Sequence, residues 1–215
     1  CRTVHVPCMC FLRREEEIPI KEHGPDVFCR TVYQSQFQRG RLEPRLTALG
    51  VRQENGRLIR GTFAYWDPEW EYAPRRRDRD REPFVVGKLA RDARSKWFSG
   101  LWGLYGQIPN VRAMTMGMGT KVREQLGTVP RWATCLGPCG MDTVQFFRQL
   151  HCLCPPNDRD EENWPRVGLE AMALGVAVVA ERRFGWVEMI EHGTTGLLAE
   201  TVPSLADEAA KLEKD

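Results

Sequence analysis

The sequence predicts an α/β fold built on a mostly parallel sheet with helices packed on both faces. Three observations point there. From Phe84 onward, short β-branched apolar runs alternate with segments of helical periodicity, the pattern of consecutive βαβ units. Helix ends are punctuated as helices prefer, with Pro165 near one start and Gly175 just past the matching end. The composition, 42% hydrophobic and 28% charged over 215 residues, can close a core and is not that of a disordered chain.

Taken in order, Phe84 to Gly87 reads as a buried strand, and Ser95 to Tyr105 as a helix with Trp97, Phe98, Leu101, Trp102 and Tyr105 at helical spacing. Val111 to Met116 is a second strand. It leads through Gly117-Met118-Gly119 into a helix over Thr120 to Leu126. Ala133 to Leu136 is a third strand, Thr143 to Leu150 a helix and Cys152 to Cys154 a short strand. Pro165 to Leu174 is helical, Val176 to Ala180 a buried strand, Gly185 to Glu191 helical, Thr195 to Leu198 a strand and Ser204 to Lys214 the last helix. In such sheets ligands gather at the carboxyl ends of the strands. The loops after Gly87, Met116, Cys154 and Ala180 are therefore expected to converge on one site. Before Phe84 the pattern is weaker. Asp26 to Val32 reads as a strand, Gln34 to Gly50 as a helix interrupted by Gly40 and Pro44, and Leu58 to Ala64 as another strand.

The clearest boundary is the run from Arg75 to Glu82, eight consecutive charges bracketed by Pro74 and Pro83. Its mixed signs read as a solvated linker rather than a phosphate-binding patch. The division this suggests is residues 1–74, a linker over 75–82, and residues 83–215. A formal net charge of +2 points neither to nucleic acid nor to a membrane surface. No apolar run approaches the roughly 20 residues of a membrane helix. With no signal peptide and no initiator Met, the chain reads as a fragment or processed product, cytoplasmic or peripheral at the inner membrane surface. The eight cysteines lack paired C-x2-C knuckles, so reduced thiols are expected rather than zinc or a disulfide scaffold. Cys152 and Cys154 alternate along a strand as small buried side chains.

The chemistry concentrates at Glu162-Asn163-Trp164-Pro165-Arg166-Val167-Gly168-Leu169-Glu170. Two carboxylates stand eight residues apart across a helix start, where free N–H groups suit a phosphate and carboxylates can accept hydrogen bonds from hydroxyls. Taken alone, a solvated loop glutamate and a surface helix glutamate would read equally well. The stretch resembles the E-x7-E motif of the group-1 family of retaining GT-B glycosyltransferases. The continuation Leu169 to Ala180 is similar to the family's EAMA-x-G-x-P-V-V run, and Glu188 to Leu198 to its E-x-I-x-x-G-x-x-G-L-L ending. Val86-Gly87-Lys88-Leu89 with Lys96 resembles the G-R-L…K segment, and Met116 to Gly119 the G-x-G turn. These elements occur in family order over residues 84 to 200.

The resemblance implies a GT-B type, Rossmann-like donor domain over 83–215, with a partial N-terminal, acceptor-side lobe over 1–74. It implies a nucleotide-sugar donor, no cofactor and no metal, an acceptor that is a saccharide, lipid or small molecule, and transfer with retention. Lys88 and Lys96 would hold the diphosphate, helped by the backbone at Arg166, Val167 and Gly168. Glu170 would take the ribose hydroxyls and Glu162, the catalytic candidate, the sugar hydroxyls. Gly117 and Gly119 would form the G-x-G turn. Several positions depart from the family. Lys88 replaces Arg, which makes a fork into a point charge. The gap to Lys96 is two residues longer, Trp164-Pro165 replaces Phe-Gly, Phe184-Gly185 replaces Gly-Gly, and Ala177 replaces Pro. His5 stands where a family histidine could fall but reads as structural, His151 reads as packing, Trp97 and Trp102 as core, and Trp66 and Trp70 are open. The competing readings are a non-catalytic or truncated nucleotide-sugar-binding fragment and a GT-B nucleotide-sugar epimerase. A dehydrogenase is disfavoured because no strand leads into G-x-G-x-x-G.

Overall fold

A computed structural model describes residues 3–59, 70–158 and 160–214. The chain divides into two compact units. The smaller takes residues 1–64 with 161–165 and 183–189, and the larger takes 65–160, 166–182 and 190–215. The division is therefore not one cut at the charged run, because two later segments belong with the N-terminal residues.

In the larger unit six parallel strands stand in the order β6-β5-β4-β7-β8-β9. They are β4 (Phe84–Leu89), β5 (Val111–Met116), β6 (Ala133–Leu136), β7 (Cys152–Leu153), β8 (Ala177–Glu181) and β9 (Leu197–Ala199). The helices of this unit are α3 (Leu101–Tyr105), α4 (Thr120–Leu126), α5 (Thr143–Phe147), α6 (Arg166–Ala173) and α8 (Ser204–Lys214). The first and fourth strands of the series, β4 and β7, are neighbours, so the connections run outward in opposite directions from that point. The expected alternation is what forms.

The expected helix over Ser95 to Tyr105 divides into a 3-10 turn, Arg94–Lys96, and α3. Between them Trp97 is extended (φ −122°, ψ 131°), which buries its ring completely and lets its indole N–H donate to Arg91 O at 2.9 Å. Trp102 packs against the same core as Trp97. The Tyr105 hydroxyl donates to Cys154 O, tying α3 to the end of β7. Cys152 and Cys154 are fully buried, and burial pushes the Cys154 thiol up to about 12. Gly175 ends α6 in the left-handed region (φ +82°), and a Cβ there would come within 2.7 Å of Pro74 N.

In the smaller unit β1 (Thr3–His5), β2 (Phe28–Tyr33) and β3 (Gly56–Leu58) form a parallel sheet. Helices α1 (Arg14–His23) and α2 (Gln36–Ala48) contribute to a core of Ile20, Tyr33, Leu42, Leu46 and Val51. Helix α2 runs unbroken through Gly40 and Pro44, where an interruption was expected. Both its ends are secured. Ser35 Oγ accepts from Gln38 N at 2.9 Å, and Leu42 and Leu46 anchor the later turns in the core. The short helix α7 (Trp186–Met189) supplies Glu188, whose carboxylate accepts from Gln36 N and Phe37 N at 2.9 and 2.8 Å. Those are helix-start N–H groups that otherwise lack partners. The strand expected over Leu58 to Ala64, and Trp66, fall largely or wholly outside the described residues. His5 is structural here: it is 5% exposed, stacked on Phe28 and 3.2 Å from Glu16 Oε1.

His151 packs as expected, stacked on Phe84 with its side chain 5% exposed. Its Nδ1 accepts from Val85 N at 2.8 Å. Burial first, then the Arg75 charge, lowers its pKa from 6.5 to about 4; the nearby Glu82 opposes the drop and Arg77 adds to it. The unfolded chain therefore takes up this proton before the native one does. The stability His151 contributes is complete above pH 6.5 and falls as pH drops towards 4, by roughly 1–3 kcal/mol in all. Urea unfolding across that range should show a steeper acid loss for the wild type than for His151→Gln. Parallel curves would show that His151 is not buried neutral.

Candidate functional site

The strand ends of the larger unit bring two loops together where β4 meets β7. Lys88, on β4, is 2% exposed and donates from Nζ to Pro156 O at 2.7 Å, with Nζ 5.2 Å from the centre of the Trp97 ring. Pro156 lies in the loop that follows β7. Asn157 Oδ1 in that loop accepts from Asp160 N, and the Asp158 carboxylate accepts from Ser99 N at 3.1 Å. Asp160 pairs with Lys96 at 3.1 Å, both side chains about a fifth exposed. Burial pushes the Asp160 carboxyl up. The Ser95 hydrogen bond and the charges of Lys96 and Arg91 outweigh that and hold it below its usual value. The β4–α3 loop and the loop after β7 are thus laced by an ammonium–carbonyl bond, an ion pair and an Asp158 clasp. Asp158 and Asp160 were missed in the sequence. Their signal was the acidic run itself, Asp158 to Glu162, which reads as a solvated loop until its partners are known.

The loop after β5 explains its glycines. Gly117 lies at φ +101°, and a Cβ there would stand 1.7 Å from Ala90 O. Its N–H donates to Leu136 O at 3.1 Å. Gly119, just before α4, would place a Cβ 2.3 Å from Asp92 Oδ2, and Asp92 Oδ1 accepts from Val122 N at 3.1 Å. So the G-x-G turn packs directly on the segment between β4 and Lys96.

Arg166, Val167 and Gly168 form the first turn of α6, whose leading N–H groups have no partner within the helix. Gly168 is buried. Glu170 follows in the next turn, half-buried. Burial raises its carboxyl pKa, partly offset by Arg166.

Glu162 belongs to the smaller unit, where its carbonyl accepts from Gly185 N at 2.7 Å. Its neighbours anchor the segment: Arg41 pairs with Glu161 at 2.9 Å, and Asn163 Nδ2 donates to Cys8 O. Gly185 has no room for a side chain, because a Cβ would lie 2.0 Å from Asn163 O. Phe184, expected from the resemblance to be glycine, takes the left-handed conformation at φ +57°. The geometry thus gathers Lys88, Lys96, Gly117 and Gly119 around the β4 end. Glu170 and the Arg166–Gly168 turn sit on α6 of the same unit, and Glu162 sits in the other unit. Among the described residues no three His, Cys, Asp or Glu side chains converge as a metal site requires, and no helix is long and apolar enough to cross a membrane.

A family model described as "Glycosyl transferases group 1" matches residues 84–215. No curated protein matches the chain in sequence. Solved structures share the fold at low identity. Alr3699/HepE from Anabaena, in complex with UDP, superposes with TM-score 0.72 at 18% identity, covering 100% of this chain and 63% of that one. TarM from S. aureus, in a complex containing UDP, gives 0.74 at 16%, covering 100% and 44%. Sucrose-phosphate synthase from Thermosynechococcus elongatus gives 0.68 at 20%, covering 94% and 53%. The fold is therefore that of GT-B enzymes, and the chain spans less than two thirds of the length of these three.

The two glycines of the turn predict different outcomes. Gly117→Ala meets a backbone oxygen at a positive φ, so it should cost more than ~3 kcal/mol of unfolding free energy. Gly119→Ala meets a side chain that can rotate away, at the expense of the Asp92 bond to α4, and should cost about 1 kcal/mol. Denaturant midpoints of the two variants check this, and equal losses would contradict it.

Proposed function

The chain belongs to the glycosyl transferases group 1 family, and we propose that it binds a nucleoside-diphosphate sugar, whose glycosyl group passes to an acceptor with retained anomeric configuration. The observation that carries this reading is the pair of lysines on the β4 side of the strand switch, Lys88 buried beneath the loop after β7 and Lys96 at its surface. Ligands of parallel α/β sheets settle at that kind of crevice.

In this reading Lys96 exchanges Asp160 for the diphosphate, and Lys88 contributes a fixed positive charge from beneath the loop. The Arg166, Val167 and Gly168 N–H groups complete the cradle for phosphate oxygens. Gly117 and Gly119 keep the neighbouring turn free of side chains. Glu170 accepts hydrogen bonds from the ribose hydroxyls, which stabilise a carboxylate that burial disfavours. Glu162 is assigned to the sugar hydroxyls as the catalytic residue. As the glycosidic bond breaks, charge gathers on the departing diphosphate, and oriented ammonium and amide groups stabilise it as it forms, without a metal. The acceptor is a saccharide, a lipid or a small molecule.

UDP and uridine are suitable probes, because the Anabaena and S. aureus structures contain UDP. Titrated calorimetrically without added metal, the chain should bind UDP. Glu170→Ala should weaken both ligands by roughly 1.5–3 kcal/mol, the size of a charge-assisted hydrogen bond. Lys96→Ala should weaken UDP, more at low salt, and spare uridine. Equal losses of UDP and uridine in Lys96→Ala would reject the diphosphate role. Failure of the wild type to bind UDP would contradict UDP-donor binding, binding without transfer would favour the non-catalytic fragment, and turnover of a UDP-sugar without acceptor would favour the epimerase.

A further inference from the structure

The opposite edge of the same sheet carries a second concentration of positive charge that the donor site does not use. A cavity of about 380 Å³ opens there, lined by Arg75, Arg76, Arg77, Arg79, His151 and Glu213, with the Phe84 ring beside them. Phe84 opens β4 and His151 directly precedes β7, so the cavity lies at the amino ends of parallel strands whose carboxyl ends carry the lysines. The charged run was expected to be a solvated linker, but part of it packs onto the larger unit. Arg77 is 8% exposed and donates to Glu82 O, to Glu213 O and to the Glu213 carboxylate, the last at 2.8 Å. Arg75 pairs with Glu82 at 2.8 Å and also donates to Gln149 O. A buried guanidinium with several acceptors is fixed in place.

Two features of this cavity lack a counterpart. Arg76 and Arg79 are exposed at its rim and form no ion pair among the described residues, whereas Arg75 and Arg77 are paired with Glu82 and Glu213. His151 is the second feature. Its Nδ1 accepts from Val85 N, so the neutral ring carries its proton on Nε2. That Nε2 is buried without a hydrogen-bond partner among the described residues, and the nearest carboxylate oxygen, on Glu82, is 4.0 Å away. A buried donor without an acceptor is unfavourable, and here it lies in the ring that forms part of the cavity wall.

We propose that this cavity is a binding site for a small phosphorylated anion, separate from the donor site. Arg76 and Arg79 take the phosphate oxygens in forked contacts, and Arg75, Arg77 and the His151 ring form the fixed wall behind them. Guanidinium forks match phosphate geometry, and more than one unbalanced positive charge favours a ligand carrying at least two negative charges. The volume lies within the range of small-ligand sites and exceeds what a lone ion needs. Glu82 and Glu213 hold Arg75 and Arg77 in position while the site is empty.

Inorganic pyrophosphate is the probe, followed by amide NMR at roughly 0.15 M salt, where loose surface attraction is screened. The donor site is expected to bind pyrophosphate as well, so the readout is local. The amides of Phe84, Val85 and Ala177 report this edge. They should shift on titration in the wild type and in Lys96→Ala alike. In the double variant Arg76→Ala, Arg79→Ala the titration should weaken about tenfold or more at these amides, with UDP affinity unchanged. The rim residues are exposed, so the variant should fold, and an unchanged amide spectrum without ligand confirms it. No shift at these amides in the wild type would overturn the proposal, as would an undiminished shift in the double variant. Neither result bears on the donor reading, which rests on UDP and Lys96.

Discussion

The ammonium of Lys88 lies out of water at the point where β4 meets β7. Removing such an ion from solvent costs several kcal/mol unless the protein returns its hydrogen bonds. The Pro156 carbonyl at 2.7 Å and the Trp97 ring face supply what water no longer does. Both have consequences along the chain. For Pro156 to reach Lys88, the segment after β7 has to fold back over the β4 end, and that course brings Asp158 to Ser99 and Asp160 to Lys96. For Trp97 to cover Lys88, the helix expected across this stretch has to break, and Trp97 is the extended residue at the break. One charged side chain at a strand end thus sets the path of two loops, and those loops place the second lysine at the surface.

The pairing of Lys96 with Asp160 bears on how a diphosphate would be received. A surface lysine without a partner wanders over its rotamers, whereas this one is held beside a carboxylate that Ser95 also binds. An arriving phosphate would replace one anion by another and so would not have to order the lysine first. The exchange has a cost, since Asp160 must find water or another donor. The net gain is then smaller than a bare lysine would give, while the geometry is more sharply defined. Lys88 contributes differently, because its hydrogen bond at 2.7 Å goes to a neutral carbonyl of the loop above it.

Much of this was legible in the sequence where a local rule governs. The strands of the larger unit follow from apolar runs, and the limits of β5, α4, β6 and α8 fall where periodicity and punctuation put them. The Gly-x-Gly turn was readable as a motif, and its physical reason at Gly117 is a single carbonyl, Ala90 O, occupying the space of a side chain. What was not legible depends on partners distant in the chain. Helix α2, which passes through Gly40 and Pro44, has its first N–H groups held by Glu188, about 150 residues later, and its later turns held by the buried Leu42 and Leu46. The arginines after Pro74 looked solvated because nothing nearby in sequence announces Glu213 or the Gln149 carbonyl. Helix α1 had a readable signal, three glutamates at its start and Lys21 and His23 at its end, but Pro19 inside it obscures the pattern.

Phe184 shows how the smaller unit holds a left-handed backbone conformation at a residue that is not glycine. A non-glycine residue at φ +57° bears a penalty of roughly 1–2 kcal/mol. Contacts on both sides oppose it. Gly185, next in the chain, donates to Glu162 O and packs so close to Asn163 that no side chain fits. The Phe184 ring meets Phe37 at 5.2 Å between centroids, and the Arg183 guanidinium lies over its face at 4.8 Å. Glu188, four residues on, is held by the start of α2. The conformation is therefore imposed from both sides of Phe184 rather than chosen by it. The same contacts hold the backbone of Glu162 through its bond to Gly185. A glycine at 184 would relieve the strain but remove the ring that packs on Phe37. The segment carrying Glu162 is thus joined, through Gly185, to an aromatic residue packed on α2.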